Sequence, residues 1–121
     1  DMMEGGLTLR EGRRVASALA DVGVDAVHVS GGLVGPRHPD DDGQGYFMPL
    51  AEQIKSALPP DVPVIGVGGI SEPEYADLVI RQGRVDMVAV GRAILNDPSW
   101  ARNALDVLSR SGRGQAGGGS G

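Results

Sequence analysis

The chain has 121 residues, enough for one domain and about half of the roughly 250 that an ordinary (β/α)8 barrel takes. It carries a net charge of −5, no cysteine and only four aromatics, Tyr46, Phe47, Tyr75 and Trp100, which excludes disulfides, thiolate metal sites and cysteine nucleophiles and argues against nucleic acid as a partner. No apolar run reaches the roughly 18 residues of a membrane span, and Asp1–Gly6 lacks the basic start and apolar run of a signal peptide, so a soluble cytoplasmic protein with no membrane partner is expected.

Thr8-Leu9-Arg10-Glu11 is a capping box, in which a Thr hydroxyl and a Glu three residues later satisfy helix-end donors. It predicts a helix to about Asp21, with Val15, Ala16, Leu19 and Ala20 as its buried stripe and Gly23 as its stop. A strand over Val24–Ser30 follows, rich in valine and ended by Gly31-Gly32. The polar segment Leu33–Gly45 reads as a loop. A second helix is predicted over Pro49–Leu58, with Leu50, Ile54 and Leu58 on one face and Pro59-Pro60 blocking its continuation.

Val62–Val67 is a mostly apolar second strand of the kind buried on both faces, closed by Gly68-Gly69. Ser71-Glu72-Pro73-Glu74 is another capping box, opening a third helix that runs to Gln82 and ends on Gly83. Val85–Val90 is the third strand, followed by Gly91-Arg92 and a short helical turn. Asp97-Pro98 starts a last helix by the N-cap and N1-proline pattern, ending near Arg110. Residues 111–121 are so rich in Gly and Ser that a disordered tail is expected after a single domain over 1–110.

The order is therefore α-β-α-β-α-β-α: an α/β chain with a parallel sheet of βα units. Gly23-Val24-Asp25 and Gly83-Arg84-Val85-Asp86 form a weak internal repeat, each a helix stop that opens a strand. No Gly-x-Gly-x-x-Gly follows the first strand, so a partial (β/α)8 barrel is favoured over a dinucleotide-binding sheet.

All three strands end in glycine, and in a (β/α)8 barrel the active site lies at those ends, with a phosphate site after the last two strands and a short extra helix. If these are the last strands, Gly68, Gly69 and Gly91 let backbone N–H groups approach a phosphate, and Arg92 adds a charge-assisted bond. The short helix near Ala93–Leu95 would point its amino end at the same place. The bland alternative makes the glycines tight turns and nothing more. His28 reads as a packed or hydrogen-bonded strand histidine, His38 as a solvated loop residue, and Asp40–Asp42 as a solvated loop tip rather than a metal site. Ser30 has no partnered base in view, and Tyr46 reads as an anchor of the loop–helix junction.

Several segments together carry a resemblance. They are Asp1–Gly6 with Leu7-Thr8-Leu9, Gly23-Val24-Asp25, His28-Val29-Ser30-Gly31-Gly32, Gly45-Tyr46-Phe47-Met48-Pro49-Leu50-Ala51, Val67-Gly68-Gly69-Ile70, Asp86-Met87-Val88-Ala89-Val90-Gly91-Arg92-Ala93, and Asp97-Pro98-Ser99-Trp100. In order and spacing, over about residues 1–108, they resemble the Old Yellow Enzyme / NADH:flavin oxidoreductase family. The likeness is strongest to the bacterial branch with xenobiotic reductases and 2,4-dienoyl-CoA reductase. The resemblance implies the C-terminal part of an FMN-binding barrel, strands six to eight. Gly68, Gly69, Gly91 and Arg92 match the family's phosphate-binding positions. It also implies NAD(P)H as reductant and a small enone or enal as substrate, with hydride passing through FMN to an activated C=C bond.

The family's strand-five Arg, its substrate-binding His/Asn pair and its Tyr proton donor have no counterpart here, so no catalytic residue is assigned. The isolated chain is expected not to be catalytically competent. Its expected partners are a second copy of itself or the missing N-terminal half of the barrel. Two alternatives stay open: another phosphate-binding barrel enzyme, and a non-catalytic fragment that only binds phosphate or self-associates.

Overall fold

The computed structural model describes residues 7–31, 44–45 and 47–115. Five helices and three strands appear among them: α1 Leu9–Asp21, β1 Val27–Val29, α2 Met48–Ser56, β2 Val64–Gly66, α3 Pro73–Arg81, β3 Met87–Val88, α4 Arg92–Asn96 and α5 Trp100–Gln115. The strands form one parallel sheet in the order β1-β2-β3. Spatial order follows chain order, as successive right-handed βα crossovers produce.

Helix ends follow the local chemistry. Thr8 caps α1, its hydroxyl oxygen accepting from Glu11 N at 3.1 Å. The hydroxyl also donates to the Glu11 carboxylate at 3.2 Å, so the return contact of Glu11 is to the Thr8 side chain. Gly23 and Gly83, at φ 93° and 72°, close α1 and α3 with one hydrogen-bond pattern. Val24 N donates to Leu19 O and Gly23 N to Ala20 O; Arg84 N donates to Val79 O and Gly83 N to Ile80 O. This is the paired closure that a left-handed residue after a helix allows, and it is the physical content of the internal repeat.

Several expectations are corrected. The strands are shorter than Val24–Ser30, Val62–Val67 and Val85–Val90, because residues flanking them are used in turns. Val24 belongs to the closure of α1, and Val62 N donates to Pro59 O. Ser71 is not the cap of α3. Glu72 is, without a side-chain cap bond, and Gln44 Oε1 instead accepts from Ser71 N at 3.0 Å and Glu72 N at 2.8 Å.

The Asp97 carboxylate accepts from Ser99 N as expected of a cap. The first turn closes from Trp100 N to Asp97 O, an i to i+3 bond, so regular helix begins at Trp100. That helix passes Arg110 and reaches Gln115, taking in part of the expected tail. No proline stops it, and each interior glycine costs only about 1 kcal/mol. Residues 116–121 lie outside the described residues.

The core lies between the helices and one face of the sheet. Met48, Val64, Val79 and Val85 are its largest fully buried side chains, joined by Ala16, Ala51, Ile54, Leu58, Ile70 and Ala76. On α1 the expected stripe is half right. Ala16 is buried and Ala20 packs on the core, but Val15 and Leu19 are 48% and 42% exposed. The helix meets α2 through its small residues, and a Cβ on Gly12 would sit 3.8 Å from Ile54 Cδ1.

The strand register places His28, Ile65 and Met87 in one row across the sheet. Their neighbours Val64 and Gly66 are buried on the helix side, so the row lies on the opposite face. His28 and Met87 are exposed there. His28 is thus not a packed strand histidine, since no element described here covers that face of β1. No helix among the described residues is long and apolar enough to cross a membrane.

Candidate functional site

Parallel pairing brings the carboxyl ends of β2 and β3 to the same side. Gly66 pairs with Val88, so Val67–Gly69 and Ala89–Gly91 leave the sheet next to each other. Between them lies a hollow of about 270 Å³ whose wall includes Gly69, Ser71, Gly91, Arg92 and Asn96, with Val67, Ile70, Ala89 and Ala93. Of the four residues singled out in the sequence, Gly69, Gly91 and Arg92 share this hollow. Gly68 does not line it: it is buried, and its carbonyl oxygen accepts from Gly45 N at 2.7 Å.

Glycine is required at the turn itself. Gly68 and Gly69 hold φ of 126° and 65°, a region that side chains with a Cβ rarely occupy. A Cβ added to Gly91 would meet no atom within 4 Å, so its backbone faces open space, as a cradle for a ligand must. Arg92 supplies the cationic group at the same rim. Backbone donors beside a guanidinium form a donor set suited to an oxyanion such as phosphate.

The turn is tied down from two sides. Gln44 holds the amides of Ser71 and Glu72, and the indole Nε1 of Trp100 donates to Ser71 O at 2.8 Å. Gly45 packs so closely on Tyr75 that a Cβ would fall 1.8 Å from the phenol oxygen, and its φ is 75°. Gln44 was not visible as a site residue in the sequence, because a lone polar residue in a loop carries no signal for a partner 27 positions away. Trp100 could have been found, since a buried or half-buried indole N–H ordinarily seeks an acceptor.

The opposite end of the sheet is electrostatic and structural. Lys55 Nζ lies 2.6 Å from Asp86 Oδ1, while Asp86 Oδ2 accepts from Val64 N at 2.8 Å. These two contacts, the lysine foremost, hold the Asp86 carboxyl below its ordinary value. Arg84 pairs with Glu52, which raises the guanidinium's already high pKa.

Among the other residues weighed, Gly31 packs under Phe47 and Leu50, with a Cβ falling 2.6–2.8 Å from their side chains. Its glycine is thus explained by packing. Ser30 borders a separate shallow hollow with Leu7, Thr8 and Leu50. Gly32, His38, Asp40–Asp42 and Tyr46 lie outside the described residues. Among the described residues no group of three His, Asp or Glu could hold a metal ion.

A parallel α/β sheet with a hollow lined by Gly69, Gly91 and Arg92 at its carboxyl end sets the class of protein. The chain belongs to the NADH:flavin oxidoreductase / NADH oxidase family, which matches it over residues 6–110. It is 43% identical over 110 residues to an NADH oxidase of Thermoanaerobacter brockii, covering 88% of this chain and 17% of that protein. It is 35% identical over 103 residues to an NADPH dehydrogenase of Geobacillus thermodenitrificans, covering 85% of this chain and 29% of that protein. The chain therefore spans less than a third of the length of these curated relatives.

Among solved structures, DHODH from Eimeria tenella in complex with ferulenol is similar with a TM-score of 0.65 at 21% identity. That likeness covers 88% of this chain and 33% of that one, and it speaks to the fold alone. FMN is the cofactor of this family, and the names of the two relatives give NADH and NADPH as their reductants.

Proposed function

We propose that residues 1–110 are the C-terminal part of an FMN-binding (β/α)8 barrel, strands six to eight, followed by a Gly-rich tail over 111–121 whose first residues continue α5 to Gln115. Within the whole enzyme they would form the end that holds the FMN phosphate. The parent activity is an FMN-dependent NAD(P)H oxidoreductase of the ene-reductase type, acting in the cytoplasm on small enones or enals. The observation that carries this reading is the meeting of Gly69, Gly91 and Arg92 on one hollow at adjacent strand ends, in a chain of this family.

The flavin, when bound, would supply the redox chemistry, hydride transfer between NAD(P)H and an activated C=C bond. This chain's part is binding and orientation. The backbone amides of Gly69 and Gly91 would donate to phosphate oxygens, and the Arg92 guanidinium would neutralise their charge. Gly68 would act one step removed, its left-handed backbone turning the chain so that Gly69 faces the hollow.

Calorimetric titration of the chain with FMN and with riboflavin tests the assignment. FMN is expected to bind more tightly, and Arg92→Gln to weaken FMN about tenfold or more, since a hydrogen bond to a charged group contributes about 1.5–3 kcal/mol. Equal affinities for FMN and riboflavin would sink it.

A second reading keeps the phosphate site but not the catalysis: the 121 residues bind phosphate and associate, as a non-catalytic fragment. It is favoured by the open sheet face at His28 and Met87 and by exposed Val15 and Leu19 on α1. Another phosphate-binding barrel enzyme is disfavoured by the family match.

A further inference from the structure

We infer that Gln44 and Trp100 are positioning residues that hold the turn between β2 and α3 in its binding conformation. The inference rests on the phosphate-site reading above and deepens it. The turn begins with two glycines at positive φ, 126° and 65°. Such a segment has more backbone freedom to lose than any other sequence. Left alone it would sample many arrangements, and a ligand would have to order it on binding, which weakens affinity. In the fold it is held at three successive places. Gly45 N donates to Gly68 O at 2.7 Å. Gln44 Oε1 accepts from both Ser71 N and Glu72 N. Trp100 Nε1 donates to Ser71 O at 2.8 Å.

Ser71 is thus gripped by its amide from one direction and by its carbonyl from another, and Gly69, Ile70 and Ser71 are wall residues of the hollow. The grip comes from outside the βα unit that it holds. Glu72 caps α3 without a side-chain bond of its own, and its own amide, one of the helix's unpaired donors, is taken by a glutamine 28 residues upstream. Trp100 lies 29 residues downstream of its acceptor, in the first turn of α5. Gln44 is itself held in place by Gly45, which is buried against the Tyr75 ring. The side chains of Gln44 and Trp100 are not in the wall, so they act through the backbone that is.

The test measures affinity for FMN and for inorganic phosphate by calorimetry, amide exchange at Ser71 and Glu72 by NMR, and melting temperature. All are done on the full chain at one concentration. Gln44→Met removes the acceptor at nearly constant volume, and Trp100→Phe removes the N–H while keeping an aromatic ring. Both are expected to weaken FMN and phosphate about five- to tenfold and to leave riboflavin unchanged. Gln44→Met should also speed exchange at Ser71 and Glu72, and Gln44→Glu, which keeps an acceptor oxygen, should restore their protection. Lys55→Met, at the other end of the sheet, is the control: it should lower the melting temperature without moving either affinity.

If the unmodified chain binds phosphate and both variants bind it equally well, the positioning role is overturned while the site stands. If Lys55→Met weakens phosphate as much as Gln44→Met for the same loss of melting temperature, the effect is general stability and the role is overturned again. If the unmodified chain binds neither FMN nor phosphate, the site reading falls and the role built on it falls too.

Discussion

Asp86 joins three elements at the amino end of the sheet, and its replacement gives a prediction with a pH signature. Its main-chain N–H donates to Val64 O while its carboxylate accepts from Val64 N and from Lys55. The side chain stands in for a missing ladder partner at the start of β2. Asp86→Ala leaves the Val64 N–H unmatched on a fully buried residue, at about 1–3 kcal/mol. The lysine pair adds less, because its two side chains are 32% and 35% exposed and such pairs contribute about 0.2–1 kcal/mol.

The expected loss for Asp86→Ala is therefore about 2 kcal/mol, and for Asp86→Asn, which keeps an acceptor for Val64, about 0.5–1 kcal/mol. Contact with Lys55 and then with Val64 depresses the carboxyl below 3.8 in the folded chain. A depressed carboxyl stabilises the fold fully above its unfolded value and loses that contribution as pH falls through the folded value. The gap between the unmodified chain and Asp86→Asn should therefore be complete at pH 6 and shrink below about pH 4. Urea unfolding followed by circular dichroism, at fixed protein concentration and at pH 6 and 3, measures both effects. An Asp86→Ala loss under about 0.5 kcal/mol, or an Asn gap unchanged by acid, would refute the reasoning.

Gly66→Ala should destabilise by about 1–3 kcal/mol through overpacking, because its Cβ would fall 2.8 Å from Met48 Cε and 2.9 Å from Val85 Cγ1; urea unfolding with no measurable loss would show that Met48 yields freely. The isolated chain should reduce cyclohexenone with NADPH and added FMN no faster than free FMN does, since phosphate contacts alone do not bring the reacting groups into attack geometry; turnover clearly above free FMN would contradict this. The chain should self-associate, because among the described residues β1 and β3 are the sheet's edge strands and Met87, at 42% exposure, stands with exposed His28 on a face that no described element covers. Sedimentation at micromolar concentration checks it, and a compact, cooperatively folding monomer would count against it.

Local chemistry was readable in the sequence wherever a residue acts on its neighbours. Thr8 with Glu11, Gly23 and Gly83 mark helix ends by bonds spanning a few residues and act there in the fold, while Asp97-Pro98 marks a turn that α5 follows from Trp100. The alternation of helices with apolar strands implied a parallel sheet for the same reason: periodicity states which faces are buried. The sheet then brought Gly69, Gly91 and Arg92 onto one hollow, as glycine-ended strands had suggested.

What depends on partners far along the chain was not readable. Gln44 taking the Ser71 and Glu72 amides at the start of α3, Trp100 reaching Ser71 O, and Asp86 replacing a ladder partner of Val64 each join residues more than 20 positions apart. No pattern in a single sequence specifies such pairs. Val15 and Leu19 read as core by period, yet remain exposed. Periodicity marks an apolar face, and only the presence of another element against that face decides whether it is buried.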